Sequence, residues 1–151
     1  MNIATTRTPI GRLGLVEEGG AITRLTWDAE NAGFRSDVLK EGLRQLEAFF
    51  DGALHTFDLP LAPQGTAFQK QVWDRLQAIP YGATRTYGDV ALSLAAQAQP
   101  VGSACGANPI PVIIPCHRVL AADGLGGYSG PGGIETKVWL LKHEGAASLL
   151  I

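Results

Sequence analysis

Cysteine, histidine and methionine are scarce in this chain of 151 residues: two cysteines, Cys105 and Cys116, three histidines and one methionine. Two cysteines allow one disulfide at most. The first residues, Met1 to Arg7, lack the apolar core of an export signal, so reduced thiols are expected. No CxxC or HxxxH spacing is present, and a zinc ligand set cannot be assembled from so few scattered donors; no metal site is expected. No apolar run approaches the ~20 residues that cross a bilayer. The expectation is a soluble cytoplasmic protein with no membrane partner. Basic charge is also in short supply. The formal net charge is −2, the pI is about 5.9, and residues 86–117 contain neither lysine nor arginine. A protein that holds nucleic acid by bulk positive charge is therefore excluded.

What is present is a globular composition, 46% hydrophobic, in a chain long enough for one domain or two small lobes. Gly14 to Trp27 holds two β-rich runs around Glu18-Gly19-Gly20 and predicts a hairpin. A helix follows, capped by Ser36 or Asp37, with Leu39, Leu43, Leu46 and Phe50 on one face and Asp51-Gly52 as its stop. His55 to Leu61 predicts a short strand. The composition changes near Pro63-Gln64-Gly65, which sets a boundary between an N-terminal α/β lobe, 1–62, and a C-terminal lobe, 63–151.

The C-terminal lobe opens on a capping box, Thr66 to Gln69, and a helix striped by Phe68, Val72, Leu76 and Ile79. A second helix is predicted from Thr86 to about Ala96 and a third over about 100–107, with Pro100 in its first turn. These two form a helix-turn-helix candidate. Residues 124–133 hold six glycines in ten positions and predict a loop. Glu135 to His143 predicts a final helix packed through Val138, Trp139 and Leu141. The fold class expected is α+β: a small β-hairpin lobe with a helix, beside a mainly helical lobe carrying the helix-turn-helix and a candidate active-site cysteine.

That cysteine is Cys116. A cysteine in an apolar run is about as often a buried small hydrophobe as a nucleophile. Here Pro111 and Pro115 stiffen the backbone around it, which suits a group whose position must be fixed. A free thiol, with a pKa of about 8.5, is only slightly ionised at neutral pH. The adjacent His117 can take its proton. An imidazole in that role needs an acceptor to fix its tautomer, and Glu144 is the candidate carboxylate. Cys105, in a small-residue helix, is expected to be packing.

Asn108-Pro109-Ile110-Pro111-Val112-Ile113-Ile114-Pro115-Cys116-His117-Arg118-Val119 resembles the active-site signature of the O6-alkylguanine-DNA alkyltransferases, the methylated-DNA–protein-cysteine methyltransferases. Gly65 to Gln69, Val72-Trp73, Ile79 to Gly82, Thr86 to Ala91, Gly127 to Gly130 and Lys142 to Gly145 resemble further landmarks of that family, in family order, and Phe57 to Leu61 extends the likeness into the N-terminal lobe. The resemblance implies direct-reversal DNA repair: irreversible, stoichiometric transfer of an alkyl group from O6 of guanine to Cys116, with no cofactor. It implies His117 as the base, acting through a water, Glu144 as its orienting partner, and Tyr87 as hydrogen-bond or proton donor to the departing guanine. It implies that Asn108 braces the turn into the active-site segment. The backbone of Val119 and the Tyr128-Ser129 segment would contact the extruded base, and Arg118 would make a structural ion pair. The partner implied is double-stranded DNA, entered from the minor groove with the target nucleotide flipped. Thr86, Tyr87, Ala98, Gln99, Val101, Gly102 and Ser103 would be the contacts, made by a monomer. The N-terminal zinc site of some relatives is not supported, since residues 1–60 contain no cysteine.

The chain departs from the family where it meets DNA. Gln99 stands where an arginine usually fills the gap left by the flipped base, and the turn Leu94 to Gln97 is short. Phosphate contacts near the helix pair fall to backbone N–H groups, hydroxyls and Arg85. DNA affinity is expected to be weak, with a shallow salt dependence. Two alternatives stand beside the alkyltransferase: an alkylated-DNA binding protein with weak or no transfer activity because Gln99 replaces the arginine, and a Cys–His hydrolase, which would turn over.

Overall fold

The computed structural model describes residues 1–128 and 130–146. The chain divides into two compact units, Met1–Gln64 and Gly65–Ile151. Among the described residues no helix is long and apolar enough to cross a membrane.

The first unit is a three-stranded antiparallel sheet with one helix. Strands β1 (Asn2–Thr8), β2 (Gly11–Glu18) and β3 (Ala21–Trp27) pair in sequence order. Glu18 pairs with Ala21 across a two-residue loop. Gly19 and Gly20 both have positive φ, as a type I′ hairpin requires. Strand β1 was not visible in the sequence, because its Thr-rich run gives only Ala4 to the core. Helix α1 (Asp37–Phe50) is capped by Ser36, whose hydroxyl accepts from the Leu39 N–H. It buries Leu39, Leu43, Leu46 and Phe49, each gaining roughly 1.5–3 kcal/mol on leaving water. Phe49, not Phe50, is the fully buried ring. Gly42 lets the helix approach the sheet: a Cβ there would lie 2.6 Å from Leu15 Cδ1.

The strand expected over 55–61 does not form. Gln45 takes the Asp58 backbone instead, accepting from its N–H at 2.8 Å and donating to its carbonyl at 3.0 Å. Pro60 has no N–H for a ladder. What remains is a single bridge of Leu61 to Ile22.

Among the described residues the second unit is built on four α-helices. Helix α2 (Ala67–Gln77) begins at a complete capping box between Thr66 and Gln69 and buries Val72, Trp73 and Leu76. The Trp73 indole donates to the Ala104 carbonyl at 2.9 Å. This ties α2 to α4 (Ala98–Gly106). Strand β4 (Arg85–Thr86) leads into α3 (Tyr87–Ser93), which also opens on a capping box, Thr86 with Asp89. Strand β4 pairs in parallel with β5 (Val119–Leu120), which brings the start of α3 beside the chain that leaves Cys116. Between α3 and α4, Ala95 has φ +52. Helix α5 (Ile134–His143) ends the unit. Its buried residues are Thr136, Lys137, Leu140 and Leu141. Val138 and Trp139 are only half-buried, so the packed stripe is rotated from the one the sequence suggested, and Trp139 stacks on His143 at 4.9 Å.

Candidate active site

Cys116 opens a single 3-10 turn, Cys116–Arg118. The segment before it is locked link by link. Asn108 is buried; its Oδ1 accepts from the Ile110 N–H at 2.9 Å and its amide donates to the Ile114 carbonyl at 2.8 Å. The Ile114 N–H closes on the Ile110 carbonyl at 2.8 Å, with Val112 at φ +73 inside the turn. A β-branched residue there is strained. Pro115, at φ −82 and ψ 68, sits in an inverse γ-turn, the Cys116 N–H donating to the Ile114 carbonyl at 2.8 Å. The sulfur is thus fixed by its backbone.

Both cysteines are reduced and buried. Burial pushes the Cys116 thiol above its ordinary pKa, opposed by a hydrogen bond from Asn108 and by the charge of Lys137. Attack by this sulfur therefore needs a base. His117 is fully buried and Nε2 lies 2.7 Å from Glu144 Oε2. Burial holds the imidazole below its ordinary pKa, and Glu144 only partly opposes this. Burial would raise the Glu144 pKa, but hydrogen bonds from His117 and Arg118 bring it down to about 2. An ionised carboxylate beside a neutral imidazole puts the proton on Nε2. Nδ1 is then left as the basic nitrogen, and it has no hydrogen-bond partner among the described residues. Arg118 completes the group: Nε and Nη2 grip the Glu144 carboxylate at 2.8 Å each, and Nη1 donates to the Ile79 carbonyl at 2.7 Å.

Cys116 faces a cavity of about 360 Å³, lined also by Tyr87, Gly102, Cys105, Gly106, Gly127 and Tyr128. This lies at the lower end of the range of small-molecule sites, about 300–1,000 Å³. Tyr87 keeps its proton: burial raises its pKa, with the nearby thiols adding to this. It is thus a hydrogen-bond donor at neutral pH. Gly126 makes its position possible. With φ +72, a Cβ there would lie 3.0 Å from Tyr87 Cε2 and 3.1 Å from its hydroxyl. Lys137 reaches in from α5, fully buried. Its Nζ donates to the carbonyls of Val119 (2.6 Å) and Gly127 (3.0 Å) and lies 5.9 Å from the Tyr87 ring centre. Burial brings its pKa down to about 8, against the pull of both thiols.

Of the residues singled out from sequence, Cys116, Tyr87, Gly102 and Tyr128 meet at the cavity, with His117, Glu144 and Arg118 behind the sulfur and Asn108 bracing its turn. Asn108 is a brace and not part of the lining. Val119 is a correction: it is fully buried and outside the lining, because its carbonyl is directed to Lys137. Val101 is another. It is fully buried on the inner face of α4 and offers no side chain to DNA. Ala98, Gln99 and Ser103 are exposed. The Thr86 hydroxyl is engaged in capping α3, accepting from the Asp89 N–H at 3.0 Å. Ser129 lies outside the described residues. Two lining or bracing groups were missed. Cys105 is part of the cavity wall and not mere packing. Lys137 shares the spacing 137, 140, 141, 144 with two leucines and Glu144, a helical stripe that marks it as inward-facing.

A proline-locked thiol backed by a buried His–Glu pair, on a cavity at the end of a helix pair, defines a cysteine-dependent group-transfer site. Comparison with known proteins is specific. Residues 67–146 match the family description "6-O-methylguanine DNA methyltransferase, DNA binding domain". Residues 1–63 match its "ribonuclease-like domain". The methylated-DNA–protein-cysteine methyltransferase of Methanosarcina acetivorans is 50% identical over 113 residues, covering 73% of this chain and 71% of the relative. That of Mycobacterium tuberculosis is 42% identical over 150 residues, covering 93% and 90%. The crystal structure of the Mycobacterium tuberculosis O6-methylguanine methyltransferase superposes with a TM-score of 0.85 at 38% identity, covering 99% of this chain and 96% of that one. A structure described as the same organism's protein in complex with DNA gives 0.85 at 40% identity, covering 97% and 94%. The chain belongs to the O6-methylguanine DNA methyltransferase family.

Proposed function

We propose that this chain is a methylated-DNA–protein-cysteine methyltransferase that repairs O6-methylguanine in DNA by moving the alkyl group onto its own Cys116. The observation that carries this is the buried Cys116 sulfur on a small cavity, backed by the His117–Glu144 pair at 2.7 Å. His117 Nδ1 takes the thiol proton through a water, and the thiolate attacks the alkyl carbon in line. The carbon–O6 bond breaks and the electron pair leaves with guanine. Charge grows on the departing base, and the protonated Tyr87 hydroxyl donates to it. The imidazolium formed at His117 is stabilised by the Glu144 carboxylate. The product is a thioether with no route back to a thiol, so each molecule acts once.

The target carbon lies within a duplex, so the nucleotide leaves the stack at a cost of a few kcal/mol. Helix α4 enters the minor groove through the exposed Ala98, Gln99 and Ser103, with no cation of its own. Gln99 is the one feature that favours a second reading, binding without transfer. Intact mass after incubation with duplex O6-methylguanine DNA separates the two. A permanent gain of one methylene on Cys116, once per molecule and absent from Cys116→Ala, supports transfer. An unchanged mass with retained DNA binding supports the second reading, and multiple turnover overturns both.

A further inference from the structure

The turn that joins α2 to β4 closes over the Arg118–Glu144 pair. Ile79 receives Arg118 Nη1 on its carbonyl at 2.7 Å. Two positions on stands Tyr81, half-buried and unused in the scheme above. Its hydroxyl donates to the His143 carbonyl at 3.3 Å. Its ring centre lies 5.8 Å from Arg118 Cζ, within reach of a cation–π contact. Gly82 then donates its N–H to Glu144 Oε1 at 3.5 Å. With φ +81, a Cβ at Gly82 would lie 3.1 Å from the Glu144 carbonyl oxygen, so the turn rests directly on that residue. The end of α5 shows what the hydroxyl does there. A helix leaves its last carbonyls without partners in a following turn. The Glu144 N–H takes the Leu140 carbonyl, and the N–H groups of Gly145 and Ala146 take those of Lys142 and Leu141. With Gly145 at φ +69, this is a Schellman motif. The remaining carbonyl of that turn, on His143, receives Tyr81, and His143 is the residue that delivers the chain to Glu144.

We infer that Tyr81 is a positioning residue for the base: its hydroxyl on the end of α5 and its ring beside Arg118 hold the Glu144 carboxylate on His117 Nε2. Glu144 Oε2 meets His117 Nε2 at 2.7 Å and Arg118 Nη2 at 2.8 Å, so both partners of that oxygen depend on where the carboxylate stands. Tyr81 touches the chain on one side of it and Arg118 on the other. A carboxylate that turns away no longer selects the imidazole tautomer. A proton on Nδ1 then removes the basic nitrogen from the sulfur's side. The effect on rate rests on the alkyl-transfer reading; the effect on the imidazole does not.

The test reads the His117 tautomer by nitrogen NMR of the full-length protein labelled at histidine, with the His117 signals identified by their loss in His117→Gln. Wild type is expected to carry the proton on Nε2 and to leave Nδ1 bare. Tyr81→Leu is expected to show a mixture of the two tautomers. It should also transfer the alkyl group about tenfold more slowly, a part of the ~10²–10⁴ that general-base catalysis supplies. Tyr81→Phe keeps the ring and should fall between the two in both readouts. Tyr81→Leu that retains the wild-type tautomer overturns the proposal, whatever its rate. Where circular dichroism shows that Tyr81→Leu does not fold, Tyr81→Phe decides: a partial shift towards the second tautomer supports the proposal, and an unchanged spectrum overturns it. Wild type that gains no methyl group on Cys116 refutes the alkyl-transfer reading instead, and the tautomer comparison still decides the part played by Tyr81.

Discussion

Arg118 and Glu144 meet as a buried two-pronged pair, Nε to Oε1 and Nη2 to Oε2, both at 2.8 Å. The same carboxylate oxygen that receives Nη2 also receives His117 Nε2, so one group serves both scaffold and base. Glu144→Gln keeps the shape but cannot carry the charge. Removing one partner of a buried pair costs about 3–5 kcal/mol, and a His117 base left without the carboxylate that fixes its tautomer loses part of the about 10²–10⁴ that general-base catalysis supplies. Urea unfolding and single-turnover kinetics should show both losses together. An unchanged midpoint would mean that the pair contributes little to the fold.

Acid should destabilise the protein in two stages. His117 is held below its ordinary pKa in the fold, so the unfolded chain binds its proton first. Stability is then lost as pH falls below about 6.5, the unperturbed histidine value. Glu144 is lowered to about 2, and its contribution is lost as pH falls from about 4.3 towards 2. Unfolding free energies measured from pH 8 to 3 check the sign; a gain in stability between pH 7 and 5 would contradict it.

Lys137→Met preserves length and burial while removing the ammonium from the cavity wall. Two carbonyls, Val119 and Gly127, lose their donor, at about 1–3 kcal/mol for each left unsatisfied. Transfer should slow at least tenfold. Arginine should not rescue it, since a planar fork does not fit a site built for a compact ammonium. A rate equal to wild type in stopped-flow assays would confine Lys137 to a structural role.

Ala95 occupies the left-handed region, at φ +52, where a Cβ costs roughly 1–2 kcal/mol. Ala95→Gly removes that cost but adds unfolded-state entropy worth about 0.5–1 kcal/mol. A small net stabilisation, up to about 1 kcal/mol, is expected in the denaturant midpoint. A clear loss of stability would show that the methyl group packs usefully.

Gln99 is exposed on the first turn of α4 and carries no charge. Gln99→Arg should speed alkyl transfer from duplex DNA more than from free O6-alkylguanine, and should steepen the salt dependence of DNA binding. Equal acceleration on both substrates would count against a role in holding the flipped state.

The parts of the fold that could be read from sequence are those set locally. The Thr66–Gln69 and Thr86–Asp89 capping boxes, and Ser36 ahead of α1, depend on neighbours three residues away. The Cys116, His117 and Glu144 grouping was legible because its landmarks lie in recognisable order. What failed was decided by distant partners. Residues 55–61 have strand-like composition, but Gln45 captures their backbone. Val101 stands among the DNA contacts that the family resemblance implies for α4, yet its own position on that helix turns it to the core. Lys137 was passed over because a charged residue on a helix is ordinarily solvated, and only the carbonyls of Val119 and Gly127 give it reason to be inside.

The contact between Gly126 and Tyr87 has a consequence for anyone reshaping the cavity. A side chain at 126 presses on the tyrosine, so that corner cannot be altered without disturbing the Tyr87 hydroxyl. The cavity wall is permissive at the end of α4: a Cβ at Gly106 meets nothing within 4 Å. Since the residue closes a helix, alanine there would favour the helical state by up to about 1 kcal/mol. Variation that reshapes the cavity therefore has an inexpensive address at the end of α4.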